Sequence, residues 1–136
     1  MMSTIQEDFG DLGAPIREEV PIINEISNGF DARQQWPECE SIQIINDQSE
    51  CKSRNNDITQ LPKSVTQIQS DIITGGPIQT TMEIFDDFLQ YTTGIYVHLA
   101  GDKLGKLSVR ILGWGVDNGV PYWLMANSWG RKWGEN

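Results

Sequence analysis

The feature that most constrains this chain is the dipeptide Asn118-Gly119. A two-residue Asn-Gly loop takes positive φ at both positions, and its twist matches that of paired antiparallel strands. Val116 precedes it and Tyr122-Trp123-Leu124 follow, so a β-hairpin is predicted here. The arm leading in alternates Leu107, Val109 and Ile111 with Ser108, Arg110 and Leu112. A further strand is predicted where Ile78, Thr80, Met82 and Ile84 alternate with Gln79, Thr81 and Glu83. Asp86 to Tyr91 reads as one helical turn, after which Gly94 leads into a short strand at Ile95-Tyr96-Val97. Four or more short strands must hide their edges, so the sheet is expected to curl into a small barrel.

One helix is predicted ahead of the sheet, over residues 62–75. Pro62 suits its first turn, Val65, Ile68 and Ile72 recur at helical spacing, and Gly75-Gly76-Pro77 stops it. The rest of the chain is less regular. Asp31 and Trp36-Pro37 predict a short helical turn, and Ser53-Arg54-Asn55-Asn56-Asp57 reads as a polar connector. Residues 1–29 are acidic and interrupted by Gly10, Gly13, Pro15, Pro21 and Gly29, which reads as a flexible tail. The opening MMSTIQEDFGDLG has neither a positive n-region nor an apolar h-region, so it is not read as a secretory signal, and the compartment stays unassigned.

Charge separates these halves. Residues 1–57 hold 12 of the 19 acids and four of the 10 bases, a net of −8, which leaves −1 for residues 58–136. The whole chain carries −9 and has no basic cluster to displace counterions from phosphate. No nucleic-acid partner is expected, and an anionic membrane surface would repel the chain. No run approaches the roughly 18 apolar residues of a membrane-spanning helix.

Little in the residues alone points to chemistry. His98 is the single histidine, and with Cys39 and Cys51 it makes no metal-ligand spacing. Asp86-Asp87 lacks the alternating oxygen ligands of a calcium loop. No metal or other cofactor is expected. Gly113-Trp114-Gly115 lacks the third glycine and following helix of a phosphate loop, and its expected role is to let the chain turn beside a packed tryptophan. A lone histidine is more often a structural hydrogen-bonder than a base.

Three segments nevertheless carry a resemblance. Phe30-Asp31-Ala32-Arg33-Gln34-Gln35-Trp36-Pro37-Glu38-Cys39 resembles the start of the mature cathepsin B-like cysteine proteases of the papain family. Ile45-Asn46-Asp47-Gln48-Ser49-Glu50-Cys51 is similar to the stretch running into that family's nucleophile. Residues 61–136 resemble its C-terminal part, above all Arg110-Ile111-Leu112-Gly113-Trp114-Gly115, Pro121-Tyr122-Trp123-Leu124 and Ala126-Asn127-Ser128-Trp129-Gly130. The resemblance implies an α+β fold. It would be a papain-like remnant, mainly the C-terminal antiparallel β-barrel domain with one packed helix and most of the helical domain deleted. The implied organisation is a propeptide-like tail at 1–29, a remnant of the mature N-terminus and pre-nucleophile loop at 30–57, and the C-terminal β domain at 58–136, incomplete at its end.

Carried across residue by residue, the resemblance implies a failed catalytic site. Gln48 matches the oxyanion-hole glutamine and Asn127 the asparagine that orients the imidazole. Arg54 stands where the nucleophile belongs, and Leu107 where the base histidine belongs. His98 matches a histidine outside the dyad. Cys39 and Cys51 have lost the partners they would bridge, so free thiols or one new bridge are expected. An arginine side chain is a permanent cation and leucine moves no protons, so the implied function is a cathepsin B-like peptidase homologue without activity. Two alternatives stay open: a fragment of a working cysteine endopeptidase joined wrongly after Ser53, and a non-enzymatic binding module. With most of the helical domain gone, Trp114, Trp123, Trp129 and Trp133 are expected to line an uncovered barrel face. That face would take a protein or peptide partner or drive self-association.

Overall fold

A computed structural model of the chain describes residues 2–4, 18, 25–39, 42, 64–130 and 133–135. Its elements in chain order are β1 (Met2–Thr4), β2 (Phe30–Asp31), α1 (Ala32–Gln35), α2 (Val65–Gly75), β3 (Ile78–Phe85), a 3-10 turn (Asp86–Gln90), β4 (Ile95–Tyr96), β5 (Lys103–Asp117) and β6 (Val120–Ala126). They form an α+β unit built on one sheet, ordered β2-β5-β6-β1-β4, with β3 also paired to β5. The predicted hairpin joins β5 to β6, with Asn118 at φ 49° and Gly119 at φ 81°.

Helix α2 forms where the apolar spacing placed it. Ile68 and Ile72 are buried one turn apart, and Val65 packs beside them on the sheet. It ends at Gly76, whose φ of 94° suits glycine and whose N–H donates to the Ile72 carbonyl at 3.0 Å. Pro62 lies outside the described residues. Asp31 caps α1 as expected, accepting the Arg33 N–H at 2.9 Å and pairing with the Arg33 guanidinium at 2.7 Å.

Strand β5 is the spine. It runs antiparallel to β3 from Ile78↔Ile111 to Phe85↔Lys103, and to β6 from Arg110↔Ala126 to Asp117↔Val120. Because Ile111 pairs with both Ile78 and Met125, and Trp114 with both Phe30 and Trp123, β3 and β2 follow one another along one side of β5 while β6 takes the other. The pairing to β6 skips a residue between Ile111 and Gly113, which makes Leu112 a β-bulge. The bulge absorbs the extra residue, so Trp114 stays on the same face as Val109 and Ile111. These three join Ile68, Ile72, Phe88, Tyr91, Trp123 and Met125 in the main core. Leu112 points the other way, into a second cluster with Ala32, Cys39 and Ile42.

Four expectations are corrected by this arrangement. Leu112 was expected on the polar face of its strand, yet it is 4% exposed because residues 30–42 cover that face. Gly113-Trp114-Gly115 is not a turn but the middle of β5. A side chain at Gly113 would collide with the backbone of Phe30, and one at Gly115 with the Tyr122 ring, so both glycines serve close approach of a neighbouring strand. Residues 2–4 are not part of a flexible tail but a strand between β6 and β4. The tryptophans do not line an uncovered face either. Trp114 and Trp123 are 4% and 1% exposed, and Trp129 and Trp133 are half-buried against the core. Trp114 stacks on Phe30 at 5.2 Å and donates its indole N–H to the Ser27 carbonyl at 3.0 Å. The segment ahead of α1 therefore supplies the cover that the sequence offered no sign of.

Candidate active site

The strand pair β5–β6 carries both described positions of the implied site. Leu107 lies on β5 opposite Met82 of β3, half-buried against the main core. Asn127 follows the last residue of β6 and is 7% exposed. Since Arg110 pairs with Ala126, walking back along β5 toward Leu107 is walking forward along β6 past Asn127, so both sit at the same end of the pair. Gln48, Cys51 and Arg54 lie outside the described residues. Cys39 is disulfide-bonded and buried, which corrects the free-thiol alternative for that residue.

The chemistry at this end is lopsided. Neither Nδ2 nor Oδ1 of Asn127 has a hydrogen-bond partner among the described residues. A buried amide left so costs about 1–3 kcal/mol per unsatisfied group. Leu107 offers it nothing, because its side chain has neither donor nor acceptor. Of the titratable side chains near Leu107 on the same ladder, Lys103 is ion-paired with Glu83, and Lys106 is exposed.

His98 lies elsewhere and has a structural task, as a lone histidine was expected to. Its Nδ1 is 3.1 Å from both Asp87 carboxylate oxygens, and its ring stacks on Phe85 at 3.7 Å. Asp87 also accepts from the Tyr96 hydroxyl at 2.7 Å, the Leu99 N–H at 2.8 Å and the Ala100 N–H at 3.2 Å. Asp86 clamps the base of the same loop, accepting the Asp102 N–H at 2.9 Å. The role of Asp87 was not legible in the sequence, since its donors come from residues 9 to 13 positions downstream. The only local signal is an acidic pair opening a helical turn.

The Leu99 N–H, then the Tyr96 hydroxyl, hold the Asp87 carboxyl well below the usual carboxylate range, with His98 and the Ala100 N–H adding to the effect. Burial, and then the hydrogen bond to that carboxylate, push the Tyr96 hydroxyl above the usual phenol range. A depressed folded-state value means that the unfolded chain binds the proton first as the pH falls. The contribution of Asp87 to stability is therefore complete above the unfolded value of about 3.9 and is lost as the pH drops toward the folded one. Protection of the Leu99 and Ala100 amides, taken relative to the intrinsic exchange rate at each pH, is expected to hold from pH 7 to pH 5 and to fall only in stronger acid. In Asp87→Asn it is expected to be low at every pH. Equal protection in the two proteins would disprove this role.

Comparison with known proteins places this geometry. Residues 22–136 match the papain family of cysteine proteases. Cathepsin B-like cysteine proteinase 5 of Caenorhabditis elegans is 62% identical over 73 residues, which is 54% of this chain and 21% of that protein. Cathepsin B-like cysteine proteinase 4 of the same organism is 57% identical over 74 residues, 54% of this chain and 22% of that protein. These matches span about a fifth of the relatives' length. Among solved structures, proCathepsin B S9 from Trypanosoma congolense superposes with a TM-score of 0.72 at 18% identity, covering 90% of this chain and 74% of that one. The chain belongs to the papain family of cysteine proteases. Within it, the relatives that the chain matches at 57–62% identity are cathepsin B-like, and the solved neighbour shares the fold.

Proposed function

We propose that this chain is a cathepsin B-like peptidase homologue that does not hydrolyse peptide bonds. Leucine at position 107 carries the reading. Cysteine peptidases of this family work through a thiolate and an imidazole, one attacking the carbonyl carbon and the other moving the proton to the leaving amine. Leu107, at the base position, has no lone pair for that proton. Arg54, at the nucleophile position, carries a cation that does not attack carbonyls at neutral pH. Gln48 and Asn127 are then relics of the oxyanion-hole and orienting positions. The amide of Asn127, without a partner among the described residues, supports this, since an orienting residue without an imidazole has nothing to hold. On this reading residues 1–29 descend from a propeptide tail, residues 30–57 from the mature N-terminus, and residues 58–136 from the C-terminal domain. The partners that suit a chain of net charge −9 are proteins or peptides rather than nucleic acid or anionic membrane.

The test is direct. Purified chain is incubated with a dibasic fluorogenic peptide, with and without a thiol-directed epoxide inhibitor. No turnover above buffer is expected, and no covalent adduct by intact mass. Turnover abolished by the inhibitor would overturn the proposal. Leu107→His alone is expected to leave turnover at zero, because a base without a thiolate activates nothing.

A further inference from the structure

The dipeptide Asn-Gly occurs twice in the chain, at Asn28-Gly29 and at Asn118-Gly119. It carries a chemistry of its own. A glycine has no side chain to shield its backbone nitrogen, so that nitrogen can attack the amide carbon of the asparagine before it. A C–N bond forms, the glycine N–H proton passes to solvent, and the side-chain amino group takes up a proton and leaves as ammonia. Water then opens the five-membered imide at either carbonyl. One opening gives aspartate. The other gives isoaspartate, in which the main chain runs through the side-chain carboxyl carbon. The sum is one water consumed and one ammonia released.

The fold holds the two copies differently. β5 ends at Asp117 and β6 begins at Val120, so the Gly119 nitrogen lies in the loop and outside the ladder. Residues 116–120 are all exposed, and no atom lies within 4 Å of where a Cβ on Gly119 would stand. Asn28 and Gly29 are exposed too, but both flanks of this pair are anchored on Trp114. The Ser27 carbonyl accepts the Trp114 indole N–H at 3.0 Å, and Phe30 pairs with Trp114 and stacks on its ring at 5.2 Å. The Ser27 hydroxyl also donates to the Gly29 carbonyl at 2.8 Å, which ties together the residues on either side of Asn28. Closing the imide ring swings the asparagine side chain onto the next nitrogen and turns the peptide between them. At the hairpin tip that movement displaces exposed residues. At Asn28 it pulls against two contacts with a buried tryptophan.

We propose that Asn118 is a site of spontaneous conversion to isoaspartate and aspartate in the folded chain, and that the contacts with Trp114 protect Asn28 from the same reaction. The conversion acts on the hairpin in two ways. Asn118 Nδ2 donates to the Asp117 carboxylate at 3.1 Å, and either product replaces that donor with a second carboxylate beside the first. Isoaspartate also lengthens the main chain within a loop whose two-residue length sets the pairing of the arms. The last pair of the ladder, Asp117↔Val120, is the one that loosens.

The full chain is kept in mildly alkaline buffer, native and in urea, and sampled over weeks. Peptide mapping by mass follows each asparagine, and ion exchange separates converted chains by their added negative charge. In the native chain Asn118 is expected to convert roughly tenfold or more faster than Asn28, the factor that giving up one stacked ring pair and one hydrogen bond imposes on the slower site. In urea the two rates are expected to converge. Equal rates in the native chain, or Asn28 ahead, would overturn the proposal, as would an Asn118 that converts in urea alone. A gap as wide in urea as in the native chain would assign the difference to the flanking residues and overturn the part played by the fold. In converted chains the Val120 amide is expected to exchange faster than in intact ones, while Val109, inside the β3–β5 ladder, keeps its protection. Equal Val120 protection in both fractions would overturn the loosened tip.

Discussion

Phe88→Ala is expected to lower the unfolding free energy by about 3–5 kcal/mol, the range for deleting a fully buried aromatic ring. Phe88 is 0% exposed and is the hub of the ring cluster. Its centroid lies 4.7 Å from Trp133, 4.9 Å from Tyr96, 5.4 Å from Trp129 and 6.5 Å from Tyr91. These rings come from the residue after the 3-10 turn, β4 and the segments after β6, so one side chain ties together regions distant in sequence. A domain of this size has about 5–15 kcal/mol in all, so the loss takes a large part of the margin. Urea unfolding followed by tryptophan fluorescence measures it. A midpoint shift worth less than about 1 kcal/mol would mean that the cluster closes over the gap.

The second large effect has the opposite sign. Asn127→Leu is expected to raise the unfolding free energy by about 1–3 kcal/mol, by removing buried polar atoms that have no partner among the described residues. Leucine has the same branched shape at Cγ without a donor or acceptor to satisfy. The midpoint is expected to rise with the denaturant slope unchanged. A fall would mean that the amide is held in solution by a group outside the described residues.

What could be read in advance follows from how local each determinant is. The β5–β6 hairpin is dictated by two residues with positive φ between apolar arms, and α2 by a spacing confined to eleven residues. Both were legible. Strand β1 was not, because its pairing with Leu124 and Ile95 reaches across most of the chain and leaves no mark on Met2-Ser3-Thr4 themselves. The cover over Leu112 was hidden for the same reason, since Ala32, Cys39 and Ile42 lie in a stretch of little periodicity. Of the candidate site, Leu107 and Asn127 could be singled out only by resemblance to a family. Neither residue type advertises chemistry, and no local pattern says that an asparagine will be buried.

The bulge at Leu112 gives β5 a change of parity. Up to Ile111 the odd-numbered positions face the main core, and beyond it an even-numbered one, Trp114, does so. Opposite numerical rules therefore govern which substitutions the two halves of a single strand will accept. Loss of Leu112 would leave the register intact, because Gly113 would still pair with Leu124 and Trp114 with Trp123, now in a regular ladder. What would go is the large side chain that β5 sends into the second core, where Gly113 has none to offer. One surplus residue thus lets a single strand line two separate cores without moving its tryptophan off the first.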